Sequence, residues 1–195
     1  SDDEGLTWRD AGMAIAPGNA EDGADAHNVW SGSVLAGRDG QTLFAYTGIR
    51  DISADRPFLQ TICIGRGTAP DAMTHASEYT QSEVPKLSFD KGTQRWLLLI
   101  SASDRMYEAQ PDAEVHQHQR LYASDTLDGP WAPALASGSL LTGLDYMFGS
   151  SLVGHDMSRG MLSLLGPYTE QAAPEKQLSF PMVRNLDVTP AFRPA

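Results

Sequence analysis

No segment of this sequence sustains an apolar residue at every third or fourth position. Its apolar runs are short, and clusters of Gly, Pro, Asp, Asn and Ser separate them. That punctuation argues against a helical bundle and predicts an all-β chain. Strands are expected at 29–35, 42–49, 58–65, 86–89, 96–102, 119–124, 148–153, 160–165 and 178–183. Turn signals fall between them: Arg38-Asp39-Gly40, Asp90-Lys91-Gly92, Leu127-Asp128-Gly129-Pro130 and His155-Asp156-Met157.

These signals recur in a fixed order. WSGSVLAGRDGQTLFAYTG followed by FLQTICIG makes one unit. VPKLSFDKGTQRWLLLISA with HQRLYASDTLDGPWAP makes a second, and MFGSSLVGHDMSRGMLSLLGPY with KQLSFPMVRN a third. A period of roughly 50–65 residues lies at or just above the range of propeller blades. A small sheet cannot bury both faces alone, so blades stack around an axis. The expectation is one β-propeller-like domain over residues 1–195, with units at 28–75, 82–135 and 146–190. A plain β-sandwich is the alternative.

Charge narrows the ligand class. Acidic residues outnumber basic ones 25 to 14, a formal net charge of -11. Nucleic acid and anionic membrane surfaces both need clustered cations, so neither is expected as a partner. A neutral small molecule fits better. No apolar run approaches the ~20 residues that span a bilayer, so a soluble protein is expected. The single cysteine, Cys63, lies in the apolar run QTICIG and reads as a small buried hydrophobe. It leaves the compartment open; no signal peptide is in view, and one cleaved earlier would leave no trace in this sequence.

Several stretches resemble one enzyme family. GMAIAP at 12–17, VWSGSV at 29–34 and LFAYTG at 43–48 look like early blades of the β-fructosidases, invertases and levansucrases. RLYASDTLDGPW at 120–131 is similar to a blade strand of the same enzymes. Five-bladed propellers acting on arabinan and xylan are more distant relatives. The resemblance implies a glycoside hydrolase or transglycosylase acting on fructosides or related sugars, with paired carboxylates near the propeller axis. Retaining glycosidases place such carboxyl groups ~5–5.5 Å apart, one ionised and one kept protonated.

Carried onto this chain, the resemblance makes Glu83 the candidate acid/base, in Glu83-Val84-Pro85, where Val84 stands in place of an expected Arg. A second alignment reads the same stretch as an altered Arg-Asp-Pro motif, with Val84 replacing its Asp. The downstream DGPW element favours the first. The nucleophile is unassigned among Asp10, Asp104 and Asp145. Trp30 is a candidate platform for a sugar ring, with Ser31 and Ser33 as hydroxyl contacts. The other reading makes Trp30 a packing residue and Gly32 a point of close approach. Arg105 and Tyr146 complete the candidate sugar contacts; Arg105 is equally placed to pair with Asp104, and Tyr146 to pack.

No cofactor and no metal site is expected. His116 and His118 share one strand face in Glu114-Val115-His116-Gln117-His118, but no further cluster joins them. Gly65-Arg66-Gly67 precedes no helix, so it is not a phosphate loop. No Gly-x-Ser-x-Gly elbow occurs. Three blades leave apolar faces open at both ends of an arc, so a homodimer that closes or extends the ring is expected. Two other functions stay open: a carbohydrate-binding relic without turnover, and a structural assembly module.

Overall fold

The computed structural model describes residues 3, 5–10, 12–18, 23–36, 41–50, 59–67, 69–76, 81–105, 110–144, 147–167, 169–170, 177–178 and 180–192. Antiparallel sheets follow one another along the chain, each a meander. The first sheet runs β1 (Asn28–Ala36), β2 (Thr42–Arg50), β3 (Leu59–Arg66), β4 (Ala69–Ala76), in that order. The second runs β5 (Gln81–Asp90), β6 (Arg95–Ser103), β7 (Gln117–Ser124), β8 (Ala132–Pro133), with β9 (Leu140–Leu141) also on β7. The third contains β10 (Ser151–Asp156), β11 (Met161–Gly166) and β14 (Met182–Asp187). The short strands β12 (Thr169–Glu170) and β13 (Gln177–Leu178) form a separate ribbon. This is an all-β, propeller-like architecture. Among the described residues helical structure is limited to the 3₁₀ turns Asp112–Glu114 and Met157–Arg159, and no helix is long and apolar enough to cross a membrane.

The central sheet is buried on both faces, and its sequence says why. Successive residues of a strand point to opposite sides. In β6, RWLLLISAS, Leu97 and Leu99 join Leu121, Leu162 and Leu164 between the second and third sheets. Leu98 and Ile100 turn the other way and meet Ile62 of the first sheet. A second cluster on that side joins Leu43, Ala45 and Ile64 to Leu87 and Leu127. Leu97, Leu98, Leu99 and Ile100 are fully buried, which accounts for a continuous apolar run where a one-sided strand would alternate.

The first strands of the three sheets lie together: β5 packs against β1 on one side and β10 on the other. Each carries a bulge near its start. Pairing shifts between Trp30 and Gly32 in β1, between Glu83 and Lys86 in β5, and between Leu152 and Gly154 in β10. A bulge bends an edge strand and re-aims the side chains beside it. In β5 it also admits Pro85, which has no N–H to give to a ladder, and Val84 takes φ 50°. Strand 86–89 therefore starts earlier than the sequence predicts, at Gln81. In β1 a Cβ on Gly32 would collide with the Ala45 carbonyl oxygen, so the glycine serves close approach of β1 to β2.

Beyond the expected strands, β4 is present in APDAMTHA. Its composition carries little β-propensity, and it occupies the edge of its sheet, where Pro70 costs no ladder bond to a further strand. The Arg38-Asp39-Gly40 turn lies outside the described residues. Cys63 is fully buried. Burial first, and then the nearby Asp25 carboxylate, pushes its thiol up to about 12, so it is a packed side chain with no reactive thiolate.

Candidate functional site

The bulge in β5 positions Glu83. The residue pairs with Ser101 of β6 just before the shift, and its side chain is half-buried. Gln60, the second residue of β3, is 1% exposed and reaches across from the first sheet. Its Nε2 donates to Glu83 Oε1 at 2.7 Å, while its Oε1 accepts the Ser82 N–H at 2.6 Å. One neutral amide thus locks the backbone before the bulge and holds one oxygen of the carboxylate. No other hydrogen bond or ion pair to the Glu83 carboxylate occurs among the described residues.

The same device recurs one sheet later. Gln119 of β7 is fully buried; its Nε2 donates to the Met147 carbonyl at 2.8 Å and contacts Ser101 Oγ at 3.0 Å. Ser101 Oγ in turn accepts the Gly149 N–H at 2.9 Å. QTICIG and QRLYAS begin on corresponding glutamines, and each fastens its sheet to the segment entering the next. Ser103 Oγ donates to Gln81 Oε1 at 2.8 Å beside them. Sequence reasoning passed over both glutamines. The repeat itself carried the signal, since a polar residue opened each of two otherwise apolar strands.

Trp30 stands at the position in β1 that Glu83 holds in β5, the last paired residue before the bulge. An indole and a carboxylate therefore occupy matching places on adjoining first strands. Trp30 is half-buried and Ser31, the extra residue of the bulge, is exposed. Ser33 is structural, because its Oγ accepts the Leu87 N–H at 3.3 Å and ties β1 to β5. Lys86, on the far side of the Glu83 bulge, donates Nζ to the Gly32 carbonyl at 3.3 Å. Burial lowers its pKa. The WSGS element is thus stitched to β5 by Ser33 and Lys86, and it leaves Ser31 open.

The remaining acids sit in other settings. Asp10 is exposed, and its Oδ1 accepts the Gly12 N–H at 2.8 Å, a local turn. Nothing among the described residues bonds it to Glu83. Asp104 accepts the His116 N–H at 2.6 Å and faces His116 Nδ1 at 2.9 Å. Burial works against its ionised form, yet the His116 hydrogen bonds and ring charge prevail and its pKa is lowered. The Arg105 guanidinium donates to the Gln110 carbonyl at 2.8 Å. Asp145 and Tyr146 lie outside the described residues. No group of three or more His, Cys, Asp or Glu that would hold a metal occurs among the described residues. A buried carboxyl that sequence reasoning passed over, Asp25, accepts the Tyr46 hydroxyl at 2.9 Å on the side of β2 turned away from the second sheet.

No family model and no curated protein matches the sequence. Solved structures do match. An α-L-arabinanase of Cellvibrio cellulosa superposes with a TM-score of 0.54 at 15% identity over 94% of this chain and 62% of its own. An endo-1,4-β-xylanase of Bacteroides thetaiotaomicron gives 0.52 at 16% identity over 85% of this chain and 59% of its own. A thermostable family-43 glycoside hydrolase gives 0.53 at 10% identity, covering 86% of this chain and 59% of its own. The chain thus spans about three-fifths of the length of the propeller enzymes it matches. At these identities the likeness concerns the fold: the sheets of this chain are stacked as they are in five-bladed propellers of the glycoside hydrolase type.

Proposed function

We propose that this chain is a sugar-processing propeller unit of the glycoside hydrolase type, acting on fructosides or related sugars, with Glu83 as its general acid. The observation that carries the reading is the built orientation of Glu83 on a bulged first strand, with one oxygen held by the buried Gln60 amide. A general acid needs its carboxyl within hydrogen-bond reach of the leaving-group oxygen, and a bond to one oxygen orients the group while the other is left to give the proton. Protonated Glu83 gives its proton to the glycosidic oxygen as that bond breaks. A second, ionised carboxylate on the opposite face of the sugar attacks the anomeric carbon or activates a water there. Trp30, at the matching place on β1, supplies the apolar platform for the ring, and Ser31 a hydroxyl contact.

Asp104 has both oxygens on His116, and Asp10 has Oδ1 on its own Gly12 N–H in an exposed turn. The second carboxylate is assigned here to Asp145 or to a second copy of the chain, which would share the site. A second copy also has an apolar surface to cover: Val153, Met161, Leu165 and Val183 of the third sheet are 37–56% exposed. Light scattering on a size-exclusion column with and without sucrose tests this. A dimer supports the shared site, and a stable monomer removes it.

The second reading is sugar binding without turnover, favoured because Glu83 is the one nominated acid among the described residues that joins a network between sheets. Calorimetry and a reducing-sugar assay with sucrose, short fructans and arabinohexaose separate the two. Hydrolysis that falls by about 10²-fold or more in Glu83→Gln, with binding retained, supports the enzyme. Binding with no sugar released supports the second reading, and no binding to any of them sinks both.

A further inference from the structure

The other end of β5 holds a separate group of reactive side chains. Ser88 and Asp90 lie two residues apart on the strand and therefore face the same side, toward β10 of the third sheet. His155 of β10 sits between them. Its Nε2 is 2.7 Å from Ser88 Oγ, and its Nδ1 is 3.0 Å from Asp90 Oδ1. Asp90 is 1% exposed. Its Oδ1 also accepts the Met157 N–H at 3.1 Å, and its Oδ2 accepts the Thr93 N–H at 2.8 Å and the Thr93 hydroxyl at 2.5 Å. These donors leave the carboxylate no freedom to turn. Facing an acceptor, Nδ1 must carry the ring proton, which directs the Nε2 lone pair at the serine hydroxyl.

A cavity of about 340 Å³ opens beside the ring, lined by Lys91, Gly92, His155 and Asp156 among others. Gly92 helps to keep it open, since a Cβ there would lie 3.0 Å from Ser158 Oγ and 3.1 Å from Asp156 Oδ1. Five residues of strand, about 16 Å, separate Ser88 from Glu83.

We propose that Ser88, His155 and Asp90 form a second reactive centre, a serine nucleophile with its base and orienting acid, which transfers the acyl group of small neutral esters to water. The step balances without any co-reactant beyond water. Ser88 Oγ bonds to the ester carbonyl carbon as its proton passes to His155 Nε2, and the carbonyl π electrons move to oxygen. The carbon–oxygen bond to the alcohol then breaks, and the alcohol takes the proton from Nε2. Water repeats the sequence, releasing the acid and restoring Ser88. The Asp90 and Asp156 carboxylates on the wall of the cavity repel anionic esters. Asp90 is suited to its part: burial acts to raise its pKa, but the Thr93, Met157 and His155 hydrogen bonds outweigh this, and the net direction is downward.

The test is covalent labelling of the full chain with a fluorophosphonate, alongside p-nitrophenyl acetate hydrolysis. Trypsin releases Ser88 within the pentapeptide 87–91, LSFDK, where it is the one hydroxyl residue. The expected result is a single adduct on that peptide, formed at least tenfold faster than in the urea-unfolded chain and absent in Ser88→Ala. His155→Gln should slow it about 10²-fold. Ser88→Cys, which leaves His155 and Asp90 in place, should be alkylated by iodoacetamide on the same peptide at least tenfold faster than free cysteine. Overturning results are a folded chain with no adduct on 87–91, equal labelling of folded and unfolded chain, or alkylation of the Ser88→Cys variant on that peptide no faster than free cysteine.

Discussion

Two Asp–His pairs of nearly the same length stand at opposite ends of the second sheet. Asp90 meets His155 at 3.0 Å, and Asp104 meets His116 at 2.9 Å. Bond length does not distinguish them; surroundings do. The Asp90 and His155 side chains are 1% and 15% exposed, those of Asp104 and His116 44% and 64%. The first pair joins two sheets and lies under a turn whose amides it caps. The second closes a loop on one sheet and faces water. The same chemical pair is a fixed strut in one place and a solvated contact in the other.

Removing the buried carboxylate breaks the comparison most severely. Asp90→Ala strands the Thr93 and Met157 N–H groups and the His155 ring. We expect a loss of roughly 3–5 kcal/mol, read as a melting midpoint lower by about 10 °C. The pH dependence has a definite sign. Asp90 has a lowered pKa in the folded chain, so its contribution is complete above the unfolded value of about 3.9. It is lost as pH falls through the folded value. Asp90→Asn should therefore flatten the acid limb of the stability curve below about pH 4, leaving the smaller share that Asp104, also lowered, contributes. An acid limb unchanged in Asp90→Asn would remove Asp90 as its source.

The two glutamines sharpen the comparison at the next level. Gln60→Ala removes the bond to the Ser82 N–H and releases the Glu83 oxygen; Gln119→Ala removes the bonds to Ser101 Oγ and to the Met147 carbonyl. Each should cost about 1–3 kcal/mol by chemical denaturation. They should part company in function. Gln60→Ala should lower sugar turnover more than sugar affinity, because the acid loses its orientation, whereas Gln119→Ala should alter neither. Equal losses of activity in both would make Gln60 a brace between sheets with no positioning role.

Some of this was legible in the sequence. Runs such as WLLLISA announce a strand buried on both faces, and the threefold order of strand and turn signals announced stacked sheets. The strand around Glu83 was half hidden because Pro85 reads as a breaker; only the bulge, a property of the pairing with β6, makes room for it. β4 was hidden because Ala, Pro and Asp carry no strand signal at a sheet edge. Glu83 was nameable from its resemblance to a family motif; the repeat marked Gln60 and Gln119 as matching positions but not their partners, which belong to the next sheet. Ser88 and His155 are 67 residues apart, and no local pattern joins them. Spacing reveals contacts within a strand or a turn, and these contacts arise between sheets.

The exposed pair supplies the smallest effect and the cleanest control. Asp104 accepts the His116 N–H and ring across a loop open to water. Solvent screens the charge pairing, and an unpaired group there finds water at once. His116→Ala should change stability by about 0.5 kcal/mol or less, and raising salt should shrink even that. The pH window runs in the same sense as for Asp90, because Asp104 is lowered too, with a far smaller amplitude. A double-mutant cycle with Asp104→Asn and His116→Ala measures the coupling directly. If it exceeded about 1 kcal/mol, the upper end of exposed pairs, burial would not be what separates the two ends of the sheet, and the strut at Asp90 would need another cause.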